Sequence, residues 1–339
     1  MSFRFSAEET RALAPSAMCI EDRRNNPVHN RKTRFRLMQQ NILAYTYPFA
    51  PGFAEPGINT LPFDELISQA LLNATLEGQL RFGSDFEVNS NATAKVAGDI
   101  FEKVEALVHW NAAARWNEYM VSGTWQNSPR YPRPTTSPDP NRQVVVLNLP
   151  RRYDWVRLLT RDRQADVEAL RAELLVHDLT MPTSTPDLLV VRTPDHLLSS
   201  TLFRTELPSM DKKSQLVLDR AYVEVENSVP ADAYLLAIAV KRSLRSDRLY
   251  QPLYEANVMQ LILEGQLGAE QVDFEVHTLE SVGTRAAHTY SAASLGLVAS
   301  SHAKPHRAVR DLYEPPTADA MVRRFLRFLD YRVGTNPSP

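Results

Sequence analysis

At 339 residues the chain can form one large domain or two ordinary ones, and either way it can bury a sizeable core. Hydrophobic residues make up 43% and charged residues 23%, and no apolar run approaches the roughly 18 residues of a membrane span or forms a secretory signal, so a soluble, cytoplasmic protein is expected. The single cysteine, Cys19, excludes an internal disulfide framework and a cysteine-rich zinc site and reads as a small buried hydrophobe; the formal net charge of −2 leaves room for local basic patches.

In chain order, Ser6-Ala-Glu-Glu9 has the form of a capping box and predicts a helix running toward Arg23. A basic stretch follows, in which Arg23, Arg24, Arg31, Lys32, Arg34 and Arg36 stand with no acid among them; it suits phosphate contacts, but such a run is ordinarily a solvated face. Apolar residues at helical spacing predict helices over Phe35 to Tyr45, Phe63 to Leu76 and Ala94 to Met120, the last through Val96, Ile100, Val104, Leu107 and Val108. These form a helical N-terminal layer. On the long helix, Trp110, Trp116 and Tyr119 are expected as core or subunit contacts rather than base-stacking groups. Gly123 to Asn141 holds five prolines with Ser, Thr and Asn and reads as an ordered, irregular loop.

Beyond that loop, Gln143 to Leu149, Asp187 to Arg192, Leu235 to Lys241 and Val272 to Thr278 are nearly continuous in apolar residues, the pattern of strands buried on both faces of a sheet. Helical stretches separate them. Thr317 to Arg332 reads as an amphipathic helix and Thr335 to Pro339 as a frayed tail. The expected fold class is therefore mixed α/β, a core sheet flanked by helices behind a helical N-terminal layer.

Pro186-Asp187 opens one predicted strand and Lys241 closes another. If the two are antiparallel neighbours, a carboxylate and an ammonium 54 positions apart meet at one sheet edge. Phosphodiester hydrolysis needs a divalent cation, held by carboxylates, to activate water and offset charge on the phosphate, and a nearby lysine to orient the water or stabilise the same charge. Mg²⁺ prefers hard oxygen ligands, so further acids are required. Glu255, fourteen residues after Lys241 on a predicted helix, and Glu102, on the long helix, are the candidates. The intervening Lys241-Arg-Ser-Leu-Arg245-Ser-Asp247-Arg248 carries tools for G·C pairs, since arginine forks to guanine O6 and N7 and a carboxylate accepts from cytosine N4. The same element also fits a helix N-terminus that Asp247 caps while the arginines face solvent.

At these residues the sequence resembles the SgrAI-like, CCGG-cutting branch of the PD-(D/E)xK type II restriction endonucleases. The resemblance extends to Phe35 to Thr46, Lys95 to Glu102, Trp110 to Asn117, Pro182 to Asp187, Lys241 to Gly265 and His306 to Tyr313, and so spans nearly the whole chain. It implies that Asp187 and Lys241 are the catalytic pair, that Glu102 and Glu255 complete a Mg²⁺ site with Asp187, and that Mn²⁺ substitutes. Ala239 stands where most PD-(D/E)xK enzymes carry an acid, a departure the CCGG branch shares by drawing Glu255 from the following helix. Arg245, Asp247 and Arg248 are then expected to read the CCGG core, and Lys95 and Arg31 to approach the outer base pairs of a palindrome, CRCCGGYG, cut before the inner CCGG to leave four-base 5′ overhangs. Near Tyr47 to Pro51 the chain is slightly shorter than its relative, so flanking-base preference is expected to differ.

A palindrome presents two equivalent half-sites, which implies a homodimer on double-stranded DNA and, for this branch, a tetramer or larger assembly. A cognate DNA methyltransferase acting on the same site is the further partner implied. Residues 1–140 are expected to carry the DNA-contacting arm, dimerisation elements and one metal-site acid, and 141–334 the catalytic and recognition core, in one structural unit. His302 and His306 have zinc-helix spacing, but Pro305 interrupts the helix and no third ligand is apparent; no Walker A loop or Gly-x-Gly-x-x-Gly fingerprint implies a nucleotide cofactor. Two rival classes remain: a DNA-binding regulator without cleavage, and a repair or junction nuclease of the same fold that cuts by DNA shape.

Overall fold

The computed structural model describes residues 19–21, 35–37, 61–84, 86, 90–125, 131–207, 211–244, 246–280, 283–295 and 306–334, with backbone only for 19–21, 35–37, 90–92, 246–248 and 284. Five strands make the central sheet: β3 (Val144–Asn148), β4 (Leu188–Arg192), β5 (Tyr234–Lys241), β6 (Asp273–Thr278) and β7 (Asp311–Tyr313), hydrogen-bonded in that order. The first three pair antiparallel and the last three parallel, so the sheet is mixed. Every residue of β3 and β6, and all of β4 and β5 except Arg192 and Lys241, is buried, which is why these strands lack polar alternation. Two short strands, β1 (Cys19–Glu21) and β2 (Phe35–Leu37), pair antiparallel as a separate ribbon.

The helices are α1 (Phe63–Phe82), α2 (Ser90–Ser122), α3 (Arg161–Val176), α4 (Lys212–Val225), α5 (Ser246–Gln260), α6 (Thr284–Thr289) and α7 (Ala318–Arg332). With 33 residues α2 runs about 50 Å. It packs on β3, β5 and α7, and from Val104 to Asn117 it is buried on all sides. Its two asparagines there are consumed by backbone. Asn117 Nδ2 donates to the carbonyls of Val144 (2.7 Å) and Phe203 (2.8 Å) while Oδ1 accepts from Val144 N (2.8 Å). Asn111 brackets Leu207 in the same way, at 2.9 and 2.7 Å.

Trp110, Trp116 and Tyr119 are core residues, each donating to a backbone carbonyl, of Thr205, Arg142 and Thr136. One apolar cluster runs from Phe63 on α1 to Val333 after α7. No described helix is long and apolar enough to cross a membrane.

Two expectations are corrected at the N-terminus. The helix toward Arg23 and the helix from Phe35 give way, where the chain is described, to β1 and β2. Phe35-Arg36-Leu37 alternates apolar and polar, a strand period that a helical template also accepts over so short a run. Ser6 to Glu9, the rest of that basic stretch, and Thr335 to Pro339 lie outside the described residues.

Candidate active site

The antiparallel register of β4 on β5, with Leu188 opposite Ile238, brings the start of one strand to the end of the other. Asp187, one residue before β4, therefore reaches the last turn of β5. Its Oδ2 accepts from Val240 N at 2.6 Å and from Lys241 Nζ at 2.9 Å. Both side chains are largely buried, 23% and 12% exposed, so removing either partner would leave the other as an uncompensated buried charge. Burial opposes the charge on Lys241, yet Asp187, Glu255 and Glu102 together hold its pKa above the ordinary 10.5.

Glu102 projects from α2 toward the same edge. Asn148, the last residue of β3, links it to the pair: Asn148 Nδ2 donates to Glu102 Oε1 at 3.4 Å and to the Asp187 carbonyl at 3.0 Å, while Asn148 Oδ1 accepts from Lys103 Nζ at 2.5 Å. Burial first, and then the charge of Asp187, push the Glu102 carboxyl up to about 7. Glu255 comes from α5; its Oε1 accepts from Ser184 Oγ at 2.6 Å and Gln251 Nε2 at 2.7 Å, and burial raises its pKa. Its other oxygen, Oε2, is buried with no hydrogen-bond partner among the described residues.

Glu102, Asn148, Ser184, Asp187, Lys241 and Gln251 border a groove of about 1790 Å³ whose walls also include Lys95, Lys103, Arg151, Arg152 and Arg242 beside Asp99. Lys95 stands exposed on α2 at this groove. Arg152 adopts a left-handed backbone (φ 62°) at its rim, a conformation unusual for a residue other than Gly, Asn or Asp. Asp247 and Arg248 lie in the first turn of α5; Arg31, Arg245 and the side chains of Asp247 and Arg248 lie outside the described residues.

Of the residues expected at the site, the structure thus joins Asp187, Lys241 and Glu102 through direct bonds or Asn148, and sets Glu255 within electrostatic reach. Among the described residues, no three acids, histidines or cysteines stand close enough to form a ready-made metal cluster. The donor chemistry nevertheless suits a hard cation: the carboxyls of Glu102 and Glu255, raised by burial and by the charge of Asp187, and an orphaned buried oxygen on Glu255. Asn148, Ser184 and Gln251 are site residues that sequence reasoning missed. Asn148 left a signal as the one polar residue of Val144–Asn148, whereas Gln251 left none.

The family model for the Cfr10I/Bse634I restriction endonucleases matches residues 49–331. The chain belongs to that family. It is a type II restriction endonuclease, a DNA-cleaving hydrolase, and membership sets aside the binding-only regulator. Its fold is shared by solved structures, among them two of Bse634I. One, described as the crystal structure of the Type IIF restriction endonuclease Bse634I with cognate DNA, aligns at a TM-score of 0.70 and 17% identity over 93% of this chain and 99% of that one. A second Bse634I structure aligns at 0.71 and 18% over 92% and 97%. No curated protein matched the chain.

Proposed function

We propose that this chain is a Mg²⁺-dependent, SgrAI-like enzyme that cuts double-stranded DNA at a palindrome with a CCGG core, CR^CCGGYG, leaving four-base 5′ overhangs. The observation that carries the reading is the meeting of Asp187 and Lys241, 2.9 Å apart, on the wall of a groove that also takes in Glu102. Asp187, Glu102 and Glu255 would hold the cation; Mg²⁺ commonly takes one or two carboxylates and fills the rest of its shell with water and phosphate. When bound, it lowers the pKa of a water and offsets charge on the phosphate. The Lys241 ammonium, kept protonated by the surrounding acids, donates toward that charge or orients the attacking water.

Recognition rests on the segment joining β5 to α5. Helix α5 begins at Ser246, five residues past Lys241, so Asp247 and Arg248 lie close in sequence to the hydrolytic end of the strand. Arg245 and Arg248 would fork onto guanine and Asp247 accept from cytosine, with Lys95 and Arg31 at the outer pairs. That a relative of this fold is described with cognate DNA supports duplex DNA as the partner. Two-fold target symmetry calls for a homodimer, a tetramer or larger assembly on DNA, and a methyltransferase protecting the same sequence. The 1–140 region would serve the arm and dimerisation, 141–334 catalysis and readout.

Incubating plasmid DNA with the protein, with and without Mg²⁺, and sequencing the ends tests this. Expected are Mg²⁺-dependent double-strand cuts at CR^CCGGYG, with Mn²⁺ substituting. Cuts at another palindrome would overturn the SgrAI-like site, cuts without common sequence would favour a repair-type nuclease, and metal-independent cutting would remove the cation.

A further inference from the structure

Behind the site lies a chain of buried charges that the cleavage mechanism above does not use. Glu105 sits on α2 one turn beyond Glu102, fully buried. Both of its carboxylate oxygens lie 3.1 Å from His277 Nδ1. The other ring nitrogen of His277 lies 3.2 Å from Glu275 Oε2, and Glu275 Oε1 accepts from Arg324 of α7 at 2.9 Å. His277 is 1% exposed and pairs in register with Val240, whose N–H bonds Asp187 and which precedes Lys241. The chain therefore ties α2, β6 and α7 together at the strand end that carries the catalytic pair.

Stability alone does not account for it, because replacing buried ion pairs by well-packed apolar groups is often neutral or stabilising. What alternating charges add is a fixed geometry: each member has only one arrangement in which its neighbours are satisfied. Glu105 and Glu102 share one helical face, at i and i+3, so a bond anchoring one sets the distance of the other from the sheet. Burial raises the Glu105 pKa and His277 works against it; with Glu105 ionised and His277 protonated the four charges sum to zero. No uncompensated carboxylate is then added behind Asp187 and Glu102.

We propose that Glu105 and His277 are positioning residues for DNA cleavage: their buried pair, extended through Glu275 to Arg324, fixes the turn of α2 that carries Glu102 against the strand end that carries Asp187 and Lys241. This rests on the reading of Glu102 as a metal-site acid.

The test uses the full chain and a plasmid that the wild-type enzyme linearises, and follows single-turnover cleavage against Mg²⁺ concentration, DNA affinity without Mg²⁺, and the melting midpoint. His277→Gln is expected to slow cleavage by at least about tenfold and to raise the half-saturating Mg²⁺ concentration while DNA affinity stays within about threefold. The double variant Glu105→Gln with His277→Gln, which restores a neutral amide pair, is expected to recover most of the loss. If His277→Gln fails to fold, Glu105→Asp decides, because it keeps the charge and withdraws it by one methylene; slowed cleavage by a protein that melts like the wild type supports the proposal.

A folded His277→Gln or Glu105→Asp with wild-type rate and Mg²⁺ dependence overturns it. So does a parallel loss of melting temperature, DNA affinity and rate in both. Glu102→Gln separates the two levels. A wild-type rate there overturns the reading of Glu102 itself, whereas slow cleavage by Glu102→Gln beside normal cleavage by His277→Gln overturns the network alone.

Discussion

The ammonium of Lys241 lies 2.9 Å from Asp187 Oδ2 and is held charged by three acids, although burial works against it. On the proposed mechanism, removing it takes away a donor toward the reacting phosphate, and it leaves Asp187 to the repulsion of Glu102. Lys241→Ala is therefore expected to reduce cleavage by a factor of about a hundred or more while site-specific binding, read by gel shift without Mg²⁺, persists. Retained cleavage would remove Lys241 from the mechanism. The meeting of these two residues was legible in the sequence because it follows from strand order: an acid that opens one apolar run and a lysine that closes another must meet if the runs pair antiparallel. Asn148, Ser184 and Glu105 were not legible in their roles, since each acquires its meaning from a partner far along the chain, Asp187, Glu255 and His277 respectively.

At the scale of elements, the strands buried on both faces and the long helices were readable, because ten or more residues of periodicity or an unbroken apolar run leave little choice. Three-residue strands such as β1, β2 and β7 carry too few residues to show any period, and their existence depends on a neighbour's edge. The proline-rich loop after α2 was readable as irregular, but not what orders it. Asp330 on α7 does so: its carboxylate accepts from the backbone N–H of Thr135 (2.9 Å) and Thr136 (2.8 Å) and from both hydroxyls (2.7 Å each). Burial opposes the charge, and these bonds more than offset it, so the Asp330 pKa falls below its ordinary value. Asp330→Ala leaves those donors unpaired and is expected to cost about 1–3 kcal/mol in urea unfolding. Asp330→Asn, which keeps one acceptor, should cost less; equal losses would show that the charge and its geometry are immaterial here.

For the molecule as a whole, the buried histidines make stability depend on pH from two sides. His277 faces Glu105 of α2, Glu275 of its own strand, His109 and the Tyr313 ring, with Arg324 beyond. Burial alone would strip its proton, but the two carboxylates raise its pKa to about 9 from the ordinary 6.5. A raised folded-state pKa contributes stability that is complete below 6.5 and is lost as pH climbs toward 9. His109 is the opposite case: burial, reinforced by the charge on His277, lowers its pKa to about 3, so folding must expel a proton between pH 6.5 and about 3 and its contribution falls over that window. Glu275, held at about 2 against its own burial by His277 and Arg324, adds a loss that begins below 4.5. The Glu102 carboxyl, raised to about 7 by burial and by Asp187, works the other way and gives up stability between pH 4.5 and 7, so the histidine contributions are read as differences between variant and wild type. In His109→Gln the acid-side loss between pH 6.5 and 4.5 should be smaller than in the wild type, and in His277→Gln the alkaline loss between 6.5 and 9 should be shallower. Melting curves of the two variants and the wild type across pH 4 to 9 check both arms, and an alkaline loss as steep in His277→Gln as in the wild type would show that the imidazolium is not what the folded core holds.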